Sequence, residues 1–189
     1  MSLKIRYGFT ADTLSLPTWA INRATGGKYS HCFIIFYNGT RPFYFESIAT
    51  KDKKTGKTGV RGPYELRKVE DWALKSHRRL LVYPNDGYLP LTTEECDKAY
   101  TMLCEAVHEI HYAHLQIVSN WFQQRLKTSL RFGAGSRKRW TCSETATRVI
   151  PPRLWHHFQL QDYNADAVVP SGSKGVSVLD AAQAMMEHG

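Results

Sequence analysis

Tyr29-Ser30-His31-Cys32-Phe33-Ile34-Ile35-Phe36-Tyr37 is the stretch that decides the fold, followed by Asn38-Gly39 and then Phe43-Tyr44-Phe45-Glu46-Ser47-Ile48. The first run is β-branched and aromatic and reads as the strongest strand in the chain. Asn-Gly is a strong signal for a tight hairpin turn, so the second run reads as the returning strand. Residues 31, 33, 35 and 37 then share one face, and Cys32 points the other way, into the core. With Asn38-Gly39 as a two-residue loop, Tyr37 faces Thr40 and His31 faces Glu46. Directly opposite side chains lie about 5 Å apart, so this hairpin alone brings an imidazole to a carboxylate. The same register sets Pro42 opposite Ile35, at a position that should donate a ladder hydrogen bond, and proline cannot donate. A bulge or a longer loop would shift the pairing and keep the same neighbourhood.

Working outward, residues 3–8 and Leu80 to Tyr83 read as further strands, and Pro17 to Arg23 as a short helix opened by its proline. Residues 50–62 read as a Gly- and Lys-rich loop. Thr92 with Glu95 three residues later forms a capping box. It opens a helix to about residue 112, with Ala99, Leu103, Val107 and Ile110 on one face. A second helix is expected over 115–130, a basic loop from Phe132 to Arg139, a short helix from Thr141 to Ile150 stopped by Pro151-Pro152, and a last helix from Val178 to Glu187. Hairpin-joined strands flanked by helices make the class α+β.

The chain has 189 residues, of which 42% are hydrophobic and 22% charged. That is ordinary globular composition, with room for one domain spanning 1–189 and a real core. It argues against disorder, collagen and coiled coil. No apolar run is long enough to span a membrane, and Met1-Ser2-Leu3-Lys4-Ile5-Arg6 contains no apolar signal region. The expected location is therefore the cytoplasm as encoded, with delivery elsewhere by a phage or secretion route left open. Four cysteines are too few for a disulfide scaffold, so they are read as reduced thiols. A formal charge of +8 favours acidic partners.

Cys142 draws attention by its place. It stands in Trp140-Thr141-Cys142-Ser143-Glu144-Thr145, at the first turn of a helix and just after Arg137, Lys138 and Arg139. Free N–H groups, the helix dipole and nearby cations all stabilise a thiolate. A lone cysteine is more often a small buried hydrophobe. A thiolate nucleophile needs a base, and His31 on the strongest strand can serve. Glu46 beside it would fix the tautomer and orientation of that base.

Tyr29-Ser30-His31, Phe45-Glu46-Ser47 and Thr141-Cys142-Ser143-Glu144, in that order, resemble the circularly permuted NlpC-type papain-like family. There the His-bearing strand precedes the Cys-bearing helix, and the nucleophile motif typically reads Asn-Cys-Ser-Glu. The opening stretch from Gly8 to Tyr29 and the Val168-Val169-Pro170 segment are also similar, so the likeness runs from about residue 5 to 185. It implies a permuted papain-like fold, an antiparallel sheet or small barrel packed against helices. It implies a cysteine hydrolase, amidase/peptidase-like or acting on esters or thioesters, with Cys142, His31 and Glu46 as catalytic residues. Tyr112, Ser30, Ser143 and, through the basic loop, Lys57 would contact substrate. No cofactor or metal is implied. Expected substrates contain an amide or ester and are in some cases anionic, such as a cell-wall peptide or a lipid; relatives of lecithin:retinol acyltransferase share the fold. Two departures stand out. Tyr112-Ala113 replaces the family's Tyr-Asp, and the stretch from Gln116 to Arg139 is longer and more basic.

Other signals carry less. Gly56-Lys57-Thr58 lacks the glycine at position 51 that a phosphate loop requires. His108, His111 and His114 are spaced by three, but no HExxH or further ligand accompanies them, so no metal site is expected. Trp121 with Arg125, and Trp140 after its basic run, suit single-stranded nucleic acid or a sugar polymer, but plain packing with amphipathic edges is the commoner case. Two functional classes follow: a cysteine hydrolase or lipid-directed acyltransferase of the same fold, or a non-enzymatic basic binding or structural module. A pure binding module has no need for Cys, His and Glu at these three places.

Overall fold

The computed structural model describes residues 2–12, 31–52, 55–66, 78–84, 86–113, 138–151, 153 and 154. Five strands come first: β1 (Leu3–Asp12), β2 (His31–Asn38), β3 (Arg41–Ile48), β4 (Gly59–Glu65) and β5 (Arg78–Tyr83). Helix α1 (Thr93–Glu109) follows, then β6 (His111–Tyr112), β7 (Arg139–Trp140) and α2 (Cys142–Val149). The sheet order is β4-β3-β2-β1-β5, with every neighbouring pair antiparallel. The α+β class holds in this form. The helices expected at Pro17–Arg23, 115–130 and Val178–Glu187 lie outside the described residues.

The sheet is apolar on both faces. Leu3, Ile5, Tyr7, Cys32, Ile34, Phe36, Phe45 and Val60 form one buried layer, and Cys96, Ala99, Leu103 and Ala106 of α1 with Ala146 and Val149 of α2 close over it. Phe33, Ile35 and Tyr44 form a second cluster on the opposite face. This explains the unbroken hydrophobic run in β2: a central strand buried on both sides has no solvent face to alternate with. Gly8 sits opposite Phe33, and a Cβ there would lie 2.1 Å from the ring's Cζ. Only glycine lets that ring lie flat on β1.

The β2–β3 hairpin forms, but its register is shifted by two residues from the sequence expectation. Asn38 pairs with Arg41, leaving Gly39-Thr40 as the loop, and Glu46 faces Phe33 rather than His31. Gly39 has φ 61, as primed hairpin turns require at the first central residue. Pro42 explains the shift. In a two-residue hairpin the pair next to the closing one makes no ladder hydrogen bonds across the strands, and Pro42 now occupies that place opposite Tyr37. Its carbonyl faces the other way and accepts from the Leu66 N–H. A shift of two preserves faces, so His31 and Glu46 stay on the same side.

Two further expectations are corrected. Residues 59–62 are not loop but the start of β4, an edge strand whose Gly62 and Pro63 mask its signal, and whose pairing with β3 slips between Tyr44 and Glu46. The helix opened by the Thr92–Glu95 capping box stops at Glu109, not near 112. Ile110 is already extended, and residues 111–112 become a strand because the His111 N–H is drawn to the Lys138 carbonyl and the Ala113 N–H to the Trp140 carbonyl.

Candidate active site

Three pieces of chain meet at the start of β2. The first is β2 itself, which opens with His31 and Cys32. The ladder between β2 and β3 ends at Phe33–Glu46, so His31 lies just beyond it, diagonal to Glu46. There the ring's Nε2 is 2.9 Å from Glu46 Oε2. The ring also stacks on Phe33, with centroids 6.4 Å apart. Both partners are largely buried, at 17% and 9% side-chain exposure, so water competes little for this contact.

The second piece is α2. Thr141 caps it: its hydroxyl accepts from the Glu144 N–H and the Glu144 carboxylate accepts from the Thr141 N–H. Glu144 is held in turn by Arg148 at 3.1 Å, one turn along the helix. The Tyr7 hydroxyl donates to the Ala146 carbonyl at 2.8 Å, fastening the helix to β1. These contacts fix Cys142 as the first residue of the helix, half-buried, with its sulfur packed against the core layer that contains Cys32.

The third piece is the parallel pair β6–β7. The Trp140 carbonyl accepts from both the Ala113 N–H and the Ser47 hydroxyl, the latter at 3.1 Å, which ties β7 to β6 and β3 together. Tyr112, on β6, is thereby buried.

The electrostatics follow. The Cys142 thiol is held well below the ordinary thiol range. The largest cause is a hydrogen bond from the Cys32 thiol; burial opposes it; a hydrogen bond and the positive charge of His31, with the Cys32 backbone N–H, add to the lowering. Burial works against the charged form of His31, but hydrogen bonds and charge from Cys142 and Glu46 outweigh it and raise His31 to about 10. Cys32 and Tyr112 are pushed well above their usual ranges, Cys32 chiefly by its hydrogen bond to Cys142 and Tyr112 chiefly by burial. These directions favour the charged forms of Cys142 and His31 together and the neutral forms of Cys32 and Tyr112.

Of the residues expected from sequence, the structure brings together Cys142, His31, Glu46 and Tyr112. Ser143 is the second residue of α2. Lys57 is exposed in the turn before β4, and its carbonyl accepts from the Asp52 N–H and from Arg61. Ser30 lies outside the described residues. His108 and His111, read together by spacing, are split between the last turn of α1 and β6, and His114 lies outside the described residues. Sequence reasoning missed Cys32 as a partner of Cys142. Its side chain points into the core as expected, and Cys142 packs against that same core layer. No protein-family model matches the chain, and no curated protein or solved structure matches it.

Proposed function

We propose that this chain is a cysteine-dependent hydrolase of the permuted papain-like type, acting on an amide, ester or thioester through an acyl-enzyme. The observation that carries the reading is the His31–Glu46 contact of 2.9 Å, on a ring whose charged form both Cys142 and Glu46 favour. A structural thiol needs neither a base nor an orienting carboxylate.

The Cys142 thiolate attacks the carbonyl carbon. Charge builds on the carbonyl oxygen, where the Cys142 backbone N–H, unpaired within the helix at its first position, can donate. His31 gives its proton to the leaving amine, alcohol or thiol, and Glu46 holds the ring in place as its charge is lost. Water, activated by the now neutral His31, releases the acyl group and restores the pair. A lipid-directed acyltransferase would use the same first half, with another acceptor replacing water.

The test is thiol alkylation resolved by residue at pH 6 with limiting iodoacetamide, read by mass spectrometry, followed by a panel of amide, ester and thioester substrates. Cys142 is expected to react fastest of the four cysteines and to slow in His31→Ala, and Cys142→Ala is expected to fold normally and turn nothing over. A Cys142 no more reactive than Cys96 overturns the proposal.

A further inference from the structure

Glu144 sets up a conflict inside the helix that carries Cys142. It is 1% exposed and stands two residues after Cys142. Its carboxylate accepts from the Thr141 N–H and so completes the cap that opens α2. The same carboxylate puts a buried negative charge on the first turn, close to a sulfur that works as an anion, and like charges oppose each other strongly where water is excluded. Arg148 meets that charge. Its Nη2 is 3.1 Å from Glu144 Oε1, in a pair whose side chains are only 16% and 2% exposed. Its guanidinium carbon also stands 4.4 Å from the centroid of the Trp140 ring. Trp140 is buried, and its carbonyl accepts from the Ser47 hydroxyl and the Ala113 N–H, so this residue belongs to the joint of strands that leads into the helix. One guanidinium therefore holds the chain on both sides of Cys142, through Trp140 two residues before it and Glu144 two residues after it.

We propose that Arg148 is a positioning residue for the nucleophile, acting through Glu144 and Trp140: it cancels the carboxylate that the helix cap requires and locks the turn that carries Cys142. The inference rests on reading Cys142 as the nucleophile. A planar guanidinium suits both tasks, since its edge meets a carboxylate while its face lies on an aromatic ring. A lysine keeps the charge and loses the stack. The cap closes on the N–H groups of Thr141 and Glu144 and not on that of Cys142, which leaves the Cys142 N–H for the carbonyl oxygen of a substrate. With Glu144 neutralised, the helix start keeps only its backbone dipole, and that favours the thiolate. The other titratable and charged groups around α2 are Tyr7 of β1, His31 and Cys32 of β2, Glu46 of β3 through His31, the Cys96 and Cys104 thiols of α1, and Arg139 of β7. All are left unchanged in the variants that test the role of Arg148.

The experiment uses the whole protein and follows iodoacetamide alkylation of Cys142 across pH, resolved by residue with mass spectrometry. Glu144→Gln, Arg148→Met, the double variant and Arg148→Lys are compared with the wild type, each first shown to be folded by urea unfolding. Glu144→Gln keeps an acceptor for the Thr141 N–H but leaves an uncancelled cation, and should lower the pH midpoint of alkylation by about one unit. Arg148→Met leaves an uncancelled anion and should raise it by about as much, the effect of one charge roughly 10 Å away at an effective dielectric constant of about 20. The double variant and Arg148→Lys should return close to the wild-type midpoint. Both single variants loosen the cap, so a purely structural role moves the two midpoints in the same direction; opposite directions report charge. If Arg148→Met does not fold, Glu144→Gln and the double variant decide, because the midpoint should fall in the first and recover in the second. If Cys142 alkylates rapidly at pH 6 in the wild type but the midpoints move together or stay fixed, the positioning role is overturned and the nucleophile reading stands. If Cys142 of the wild type does not alkylate, both fall.

Discussion

Glu46→Gln keeps the side chain's shape and removes its charge, and its effect on His31 can be worked out in advance. In the folded protein the ring is raised to about 10. A hydrogen bond to a charged group contributes about 1.5–3 kcal/mol against about 0.5–1.5 for a neutral one, so losing the charge alone weakens the imidazolium by at least about 1 kcal/mol. The ceiling is the full Coulomb attraction, about 4 kcal/mol for charges about 4 Å apart at an effective dielectric constant of about 20. At about 1.4 kcal/mol per pH unit, the His31 midpoint should fall by about one to three pH units. The assay is a ring-proton NMR titration, with the His31 signal identified by its absence in His31→Gln. The sign for stability is also fixed. A group whose folded pKa is raised contributes stability that is fully present below its unfolded value, about 6.5, and lost as pH rises through the folded one. The variant should therefore be less stable than wild type at pH 6 by about 1–4 kcal/mol, by the same two bounds, and the gap should close as pH passes 10. A His31 midpoint that does not move between wild type and Glu46→Gln would refute the reasoning.

Tyr112→Phe removes a buried donor to the Cys142 sulfur. Loss of about 1 kcal/mol of thiolate stabilisation should move the pH midpoint of Cys142 alkylation up by about 0.7 unit, without shifting the unfolding midpoint by more than a few degrees. Thr141→Ala deletes the cap of α2 and should cost about 0.5–2 kcal/mol in urea unfolding, with Thr141→Ser restoring most of it. Gly8→Ala drives a methyl group into Phe33 and should cost about 1–3 kcal/mol. Because His31 stacks on that ring, the variant should also alter the His31 titration, whereas an equally destabilising change on α1 should not.

The hairpin was legible because it is local: a hydrophobic run, a turn signal and a return strand need no distant partner. Its register was not, because it depended on where a single missing N–H could be tolerated, and Pro42 decided that against Asn38-Gly39. The two capping boxes were also local, and Thr92–Glu95 and Thr141–Glu144 both form. By contrast β4 exists through its neighbour. Gly-Val-Arg-Gly-Pro-Tyr-Glu has no alternation of its own and becomes a strand because β3 offers it an edge. The end of α1 was misjudged for a related reason: Ile110 continues the helical spacing, but residues 111–113 find better partners in 138–140. At the site, residue types pointed to Cys142, His31 and Glu46. The contact between Cys142 and Cys32 arises only when α2 is laid on β2, and one-dimensional spacing carries no trace of it.

The order in which the site's parts occur along the chain has a consequence in time. His31, Cys32 and Glu46 are in the first hairpin, and Cys142 comes 111 residues after His31. At the usual pace of synthesis this is a delay of roughly 5–20 s. All five strands of the sheet and α1 are translated before Cys142. A nascent chain stalled or truncated anywhere in that interval carries His31 and Glu46 without Cys142. Cys142 arrives with the last described helix, after every strand it packs against has already been made.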